Sequence, residues 1–143
     1  MEIVIKRREI VTTKTIKLIN SGNEITFDVE IAQSFLKKAI GLMGRKNLFD
    51  NSGMLFIFNQ PNRHSFWMFA TRIPLEAIFF DENGFVVDII NMEPRGLNPF
   101  NCPKYSPKND AKYVLEVNSG FVKRNKVVVG SKLVLNDSPR GVS

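Results

Sequence analysis

The most informative segment of this chain is FWMFATRIPLEAIFF, residues 66–80. It contains the only tryptophan, and its apolar residues fall in two bursts, 66–70 and 73–80, separated by the polar pair Thr71-Arg72. Short apolar runs bounded by polar residues and a proline are typical of strands in a packed interior. The segment therefore predicts two strands that meet at a tight corner.

The flanking sequence predicts further strands, each bounded by turn residues. Residues 12–31 alternate at period two around a Ser-Gly-Asn cluster, which predicts a hairpin. Asn83-Gly84 between two apolar runs is the strongest short-range signal for another hairpin. The remaining predicted strands are Gly53–Phe58, Tyr113–Val117 and a last strand or strand pair within 127–135.

Helical signals are few in this chain. Ser34 is suited to cap a short helix over 35–40, which Gly41 would end by adopting a positive φ. Ser119 is a second candidate cap, for one helical turn. Residues 94–110 are rich in proline and lack periodicity, so they predict a long loop, and loops of that length are often functional.

The order of these elements predicts a mostly β fold, a single compact antiparallel β-sandwich or barrel with one or two short helices. At 143 residues the chain fits one domain spanning 1–143. Residues 1–11 are expected to form an N-terminal extension or edge strand, and residues 137–143 a flexible tail.

Composition excludes several classes of protein. No apolar run approaches the about 20 residues of a membrane span, and the N-terminus lacks the order of a secretory signal, so a cytoplasmic protein is expected. Cys102 and His64 are single residues of their kinds, which rules out an internal disulfide and a cysteine-based zinc site. A Cys–His nucleophile pair is formally available, but isolated residues of this kind are usually structural. No metal or other cofactor is predicted.

The chain is basic, with a formal net charge of +6 and a pI near 9.6. A positive balance permits contact with nucleic acid. The lysines and arginines are dispersed, however, and no aromatic residues are interleaved with the basic clusters as in single-strand binders. Solvated surface charge is therefore the preferred interpretation, and nucleic-acid association is the minor one.

Several segments, in their order along the chain, resemble the family called "domain of unknown function 192". The matching segments are Gly41-Leu42-Met43-Gly44-Arg45, Gly53–Phe58, Phe66-Trp67-Met68, Thr71–Glu76, Asp81 with Gly84, and Tyr113–Val117 followed by Gly120. Together they cover about 25–135, the family-like core of the chain. The resemblance implies a jelly-roll-like antiparallel β-domain with a short helix before the Gly-Leu-Met segment, and it implies no activity.

The chain departs from the pattern of that family at four places. Ala70 stands where the family often has Asn, Glu76 where it usually has Asp, and Ser131 where an Asp often follows Gly130. Many relatives carry two cysteines in the loop near 94–103, whereas this chain has only Cys102. Chemistry that requires two thiols in this loop is therefore not available within one copy of the chain.

The candidate ligand site combines a polarizable apolar floor with a few polar groups, the usual composition of a small-molecule pocket. Its predicted residues are Trp67, Met68, Thr71, Arg72, Glu76, Glu116, Met43 and Arg45. Structural interpretations stand beside the ligand site: Trp67 as core, and Thr71-Arg72 as a corner with Arg72 paired to Glu76 or Glu116. The Gly-rich segment with Arg45 is then a helix C-cap and turn, and Glu116 a half-solvated strand residue.

Three functional hypotheses follow, in order of preference. The first is a module that binds a small molecule or a protein partner at the Trp67–Glu76 corner and the 94–110 loop. The second is an enzyme acting on a small sugar-like or anionic substrate with Glu76 or Glu116 as acid or base. The third is weak nucleic-acid association through the basic surface. The sequence does not determine the catalytic residues or the oligomeric state.

Overall fold

The computed structural model describes residues 11–136. The extension predicted over 1–11, apart from Val11, and the tail predicted over 137–143 lie outside the described residues. The strands are β1 (Thr13–Asn20), β2 (Asn23–Ala32), β3 (Gly53–Asn62), β4 (Phe66–Trp67), β5 (Leu75–Phe80), β6 (Val86–Met92), β7 (Lys104–Tyr105), β8 (Ala111–Asn118) and β9 (Lys132–Leu135). The helices are α1 (Phe35–Ile40), α2 (Phe121–Arg124) and a 3-10 turn at Pro99–Asn101.

The predicted mostly β fold with short helices is confirmed. Seven strands form one sheet in the order β6-β5-β8-β3-β2-β1-β9, and β4 pairs with β7 in a separate two-stranded ribbon. Every pair in the large sheet is antiparallel except β2 with β3, which is parallel. A parallel pair needs a crossover connection, and α1 with the loop after it provides that connection.

The sheet curls until its two edge strands approach each other, but it does not close into a barrel. Phe85, just before β6, forms an isolated antiparallel bridge with Lys132 of β9. Gly84 accepts a backbone hydrogen bond from Leu133 at 2.7 Å. A Cβ at Gly84 would lie 2.7 Å from the Leu133 carbonyl oxygen, and the φ of +87° is also unfavourable for other residues. Glycine is therefore required where the edges meet.

Both predicted hairpins are confirmed. β1 and β2 pair along their whole lengths, from Thr13 with Glu30 to Asn20 with Asn23 at the turn. β5 and β6 are joined by the turn around Asn83-Gly84, where the Asp81 carboxylate accepts hydrogen bonds from the backbone N–H groups of Asn83 and Phe85, both at 2.9 Å.

Both faces of the sheet are covered, so two apolar cores flank it. The face carrying α2, here called the α2-side core, contains the buried residues Ile16, Leu18, Phe27, Val29, Ile31, Leu55, Ile78, Phe80, Val86, Leu115, Val117, Phe121, Val127 and Leu133. The opposite face, here called the cavity-side core, contains Ala32, Leu42, Met54, Phe56, Met68, Leu75, Ala77, Phe79, Met92, Ala111 and Val114. Because both faces are buried, all six residues of β5 are buried and its sequence shows no alternation.

The 66–80 segment contains two strands, as predicted, but the connection between them is long. β4 ends at Trp67 and β5 begins at Leu75, so the first strand is shorter than the predicted 66–70. Thr71 N–H donates to the Met68 carbonyl at 3.0 Å, and Ala70 has a φ of +54°, so a turn replaces the end of the predicted strand. The two strands consequently belong to different sheets.

Candidate functional site

A cavity of about 440 Å³ lies between the cavity-side core and the layer formed by α1 and the loops. Its walls are largely apolar, and its polar groups are few. The lining residues are Phe35, Lys38, Ala39, Ile40, Gly41, Leu42, Met43, Phe56, Phe58, Ser65, Phe66, Trp67, Met68, Thr71, Lys104 and Glu116. This volume is within the range of about 300–1,000 Å³ that is usual for small-molecule sites.

Glu116 is the only acidic side chain among the described residues that line this cavity. Because β8 alternates, Glu116 shares a face with Val114 of the cavity-side core, beside its register partners Met54 and Ala77. The residue is 5% exposed. Burial raises the pKa of the Glu116 carboxyl to about 8, because the charged form loses its hydration. Its carboxyl group forms no hydrogen bond or ion pair with another residue of the described range 11–136.

Aromatic rings form much of the cavity wall. Phe66 packs edge-to-face on Phe56, with ring centroids 5.2 Å apart, and on Phe58 at 6.1 Å. The Nζ of Lys38 lies 4.6 Å from the centroid of the Phe58 ring, within the range of a cation–π contact. Trp67, which lines the same cavity, is 38% exposed, so its indole lies at the opening.

Backbone hydrogen bonds hold the loop layer over the sheet. Gly44 N–H donates to the Ala70 carbonyl at 2.8 Å, and Ala70 N–H donates to the Gly96 carbonyl at 3.0 Å. Arg95 N–H donates to the Thr71 carbonyl at 3.1 Å. Three segments distant in sequence are thus joined beside the cavity, and Ala70 is bonded to two of them.

We expect Ala70→Asn to stabilise the protein. Ala70 has a φ of +54°, in the left-handed region that asparagine tolerates better than alanine. The free energy of unfolding should rise by about 0.5–1 kcal/mol, as measured by urea denaturation. Ala39→Asn, at an exposed position of α1, should lower it, because asparagine is the poorer helix former. A loss of stability in Ala70→Asn would contradict this assignment of backbone strain.

The structure brings together part of the predicted site. The predicted residues that line the cavity are Met43, Trp67, Met68, Thr71 and Glu116. The predicted residues that do not line it are Arg45, Arg72 and Glu76. The cavity thus retains the predicted apolar floor and one carboxyl group, without the predicted guanidinium groups.

Glu76 points to the opposite face of the sheet. Its neighbour Ala77 belongs to the cavity-side core, so alternation directs Glu76 towards α2. There its Oε1 accepts a hydrogen bond from the backbone N–H of Val122 at 3.0 Å. The prediction that Ser119 caps this helix is wrong, because Gly120 occupies the N-cap position of α2. Gly120 has no side chain that could accept a hydrogen bond, and Glu76 of β5 supplies the acceptor instead.

Arg45 and Arg72 lie away from the cavity. Arg45 forms a two-pronged ion pair with Glu30 of β2, in which Nη1 lies 2.7 Å from Oε1. Arg72 is exposed on the loop before β5. The predicted C-cap is confirmed at Gly41, whose φ is +52° and whose N–H donates to the Lys37 carbonyl at 2.9 Å.

Sequence reasoning missed the contributions of α1 and β3 to the cavity. Phe56 and Phe58 alternate at period two, a signal that places both on one face of β3. Phe35 gives no such signal, because the short helix leaves it 88% exposed at the edge of the cavity. No local pattern distinguishes such a residue from a core position.

Residues 11–136 contain neither a candidate metal centre nor a membrane-spanning helix. No group of three or more His, Cys, Asp or Glu side chains there is arranged to hold a metal ion. Within the same range, the helices are too short to span a membrane.

Comparison with known proteins places this fold among related chains. UPF0127 protein PYRAB11210 from Pyrococcus abyssi is 34% identical over 125 residues, which cover 81% of this chain and 94% of the relative. A crystal structure from Sinorhizobium meliloti 1021, described as a "putative transcription regulator", has a TM-score of 0.80 and 30% identity, covering 87% of this chain and 95% of that one.

A second crystal structure, of a protein of unknown function from Novosphingobium aromaticivorans DSM 12444, also has a TM-score of 0.80. It is 28% identical and covers 90% of this chain and 89% of that one. The family model DUF192, described as "Uncharacterized ACR, COG1430", matches residues 16–135, nearly the whole described range. The predicted resemblance is therefore confirmed, and the chain belongs to the DUF192 family.

Proposed function

We propose that this protein is a small-molecule binding module whose ligand enters the cavity between α1 and the sheet. The observation that carries the proposal is Glu116, a carboxyl group that is 5% exposed, faces the cavity and forms no bond with another residue in 11–136. Its oxygens are open to the cavity, since no fully buried side-chain oxygen or nitrogen of the described residues lacks a hydrogen-bond partner. A ligand inside the cavity can therefore reach this carboxyl group and bond to it.

The opening of the cavity supports the same function. Phe35 and Trp67 expose large apolar surfaces at its edge, with 88% and 38% of their areas accessible. Apolar walls with few polar groups are the usual composition of a ligand pocket. A ligand that covers these rings would bury apolar area at about 25 cal/mol per Å².

Catalysis is the second candidate function, and one observation favours it. With its pKa raised to about 8, Glu116 is mostly protonated at neutral pH and is available as a general acid. Glu76, the other predicted acid or base, lies on the opposite face and already accepts a hydrogen bond from Val122. The described cavity therefore contains one carboxyl group rather than the pair that many hydrolases use.

Regulation of transcription, which the name of the Sinorhizobium meliloti protein indicates, is less well supported for this chain. The net charge of +6 is compatible with nucleic acid. In the described range, however, α1 has six residues and α2 has four, which is short for a helix that reads the major groove.

A thermal-shift screen with a blocked variant tests the binding module. Ala39 is exposed on α1 and lines the cavity, so Ala39→Trp should fill the opening. Gln33→Trp, at an exposed position outside the cavity lining, is the matched control. A compound at 100 times its Kd stabilises by about 2.7 kcal/mol, so the wild type and control should gain roughly 5–10 °C in Tm. Ala39→Trp should gain almost nothing.

Two results of this screen would contradict the proposal. One is a diverse library of small molecules that leaves the Tm of the wild type unchanged. The other is a set of hits that stabilise Ala39→Trp as much as Gln33→Trp, because their site would then lie elsewhere.

A further inference from the structure

We propose that the ligand of this cavity is an amine with an apolar body, bound so that its ammonium group meets Glu116 and its body lies against the aromatic walls. The inference rests on the proposed function and names the class of ligand. It depends on the hydrogen-bonding groups, the rings and the charges that line the cavity.

The buried polar side chains of the cavity present acceptors to a ligand. Glu116, when ionised, only accepts hydrogen bonds. Thr71, which is 4% exposed, directs its hydroxyl hydrogen to the Phe69 carbonyl at 3.3 Å, which leaves the oxygen lone pairs as acceptors. A ligand group that complements two acceptors is a donor, and an ammonium group carries three N–H donors.

The aromatic walls favour a positive charge. Faces of aromatic rings attract cations, and the attraction is strongest when water is excluded. The wall already makes one such contact, since Lys38 Nζ lies 4.6 Å from the Phe58 centroid. Phe56, Phe66 and Trp67 also line the cavity and offer apolar area to the body of the ligand, so a purely polar amine would leave them uncovered.

The charges around Glu116 explain why the amine needs this body. The other titratable side chains of the cavity are Lys38 of α1 and Lys104 of β7, while Met54 and Ala77 beside Glu116 carry no charge. His64 stacks behind Phe58, with ring centroids 3.6 Å apart. Lys38 also donates to the Ile57 carbonyl at 3.4 Å. The lysines oppose a free cation, so apolar contact must contribute to affinity.

Binding has a defined proton balance. The carboxyl proton of Glu116 leaves to solvent as the ammonium ion binds, and an ion pair of carboxylate and ammonium forms. With a Glu116 pKa of about 8, roughly nine in ten molecules hold that proton at pH 7. One bound amine should therefore release close to one proton.

Three matched probes separate the ligand classes: 2-phenylethylamine, 2-phenylethanol and 3-phenylpropanoate. Trp67 is the only tryptophan, so the single indole N–H signal in a ¹H–¹⁵N spectrum belongs to it and reports on the opening. The amine should move this signal at concentrations at least tenfold below those needed for the other two probes. Calorimetry at pH 7 in two buffers of different ionisation enthalpy should show the release of close to one proton.

Glu116→Gln keeps the shape of the side chain and removes its charge. The variant should bind the amine about 10–100-fold more weakly and release no proton, while its weak affinity for the alcohol stays within about twofold. Arg72→Ala, at an exposed position outside the cavity lining, is the control and should bind as the wild type does.

Failure of this inference is distinguishable from failure of the proposed function. If the alcohol or the propanoate binds as tightly as the amine, or Glu116→Gln binds the amine normally, the ligand class is wrong and the binding module stands. If the library screen finds cavity ligands but the amine leaves Trp67 unmoved, the ligand class is also wrong. If the screen finds no ligand, the proposed function fails, and this inference fails with it.

Discussion

Replacing Glu116 by Gln is expected to remove a pH dependence of stability worth about 4 kcal/mol between pH 5 and pH 8. The pKa of Glu116 is about 8 in the folded protein, raised by burial from 4.5. Each pH unit between these two values changes the free energy of unfolding by about 1.4 kcal/mol. Urea denaturation of both proteins at several pH values measures the difference directly.

The sign of this effect follows from where the proton is held. Between pH 4.5 and pH 8 the folded protein keeps the Glu116 proton, whereas the unfolded chain has released it. Stability therefore falls as the pH rises through this window. The contribution is fully present below pH 4.5 and fully lost above pH 8. Glu116→Gln, which does not titrate, should be the more stable protein at pH 8.

A control separates this effect from general loss of charge. Glu82→Gln removes a carboxylate from an exposed turn and should keep the slope of the wild type. The wild type and Glu116→Gln share every other titrating group. The difference between their plots of unfolding free energy against pH therefore isolates Glu116. If the unfolding free energies of the wild type and Glu116→Gln change with pH in parallel, the carboxyl group is hydrated. Water would then fill the cavity around Glu116.

The second large effect is expected from Gly53→Ala, with a loss of about 3 kcal/mol in the free energy of unfolding. A Cβ at Gly53 would lie 2.6 Å from the Glu116 carbonyl oxygen and 3.1 Å from Val117 Cγ1. Both contacts belong to β8, which is held between β3 and β5. The strands would have to separate where Glu116 is positioned. Urea denaturation of the purified variant gives the magnitude.

Gly96→Ala is the matched control for this substitution. A Cβ at Gly96 meets nothing within 4 Å, and neither Gly53 nor Gly96 has a positive φ. The control should be neutral or up to about 1 kcal/mol more stable, because alanine restricts the unfolded chain. If both variants lose the same stability, the cause is a general effect of adding a methyl group to a glycine rather than the clash with β8.

Local signals in the sequence were sufficient to predict helix caps and turns whose hydrogen bonds join neighbouring residues. Ser34 caps α1 by accepting from Lys37 N–H at 3.1 Å, and Asp81 with Gly84 forms the second hairpin. These bonds join residues a few positions apart, so composition and spacing predict them. The same reasoning failed at Ser119, because the acceptor for the turn of α2 comes from Glu76 on a distant strand.

The candidate site also combines residues that the sequence predicted with residues whose position depends on tertiary packing. Trp67, Met68 and Thr71 were predicted from one aromatic segment, and all three line the cavity. Glu76 lies only a few residues further on, yet it faces away, because strand alternation and a sheet buried on both faces send it to α2. For Glu116 the sequence left two interpretations open, a half-solvated strand residue and a pocket carboxylate, and the structure buries it in the cavity.

The class of fold, the hairpins, the cap of α1 and membership of the DUF192 family were all predictable from the amino-acid sequence, since these depend on local patterns and on the order of motifs. Three features became apparent only in the folded protein: the cavity, the parallel pairing of β2 with β3, and the orientation of Glu116 rather than Glu76 towards the aromatic rings. The physical reason is that a strand covered on both faces looks apolar throughout. The sequence of such a strand therefore does not indicate which core each side chain joins. The packing of α1, α2 and the loops against the sheet determines it.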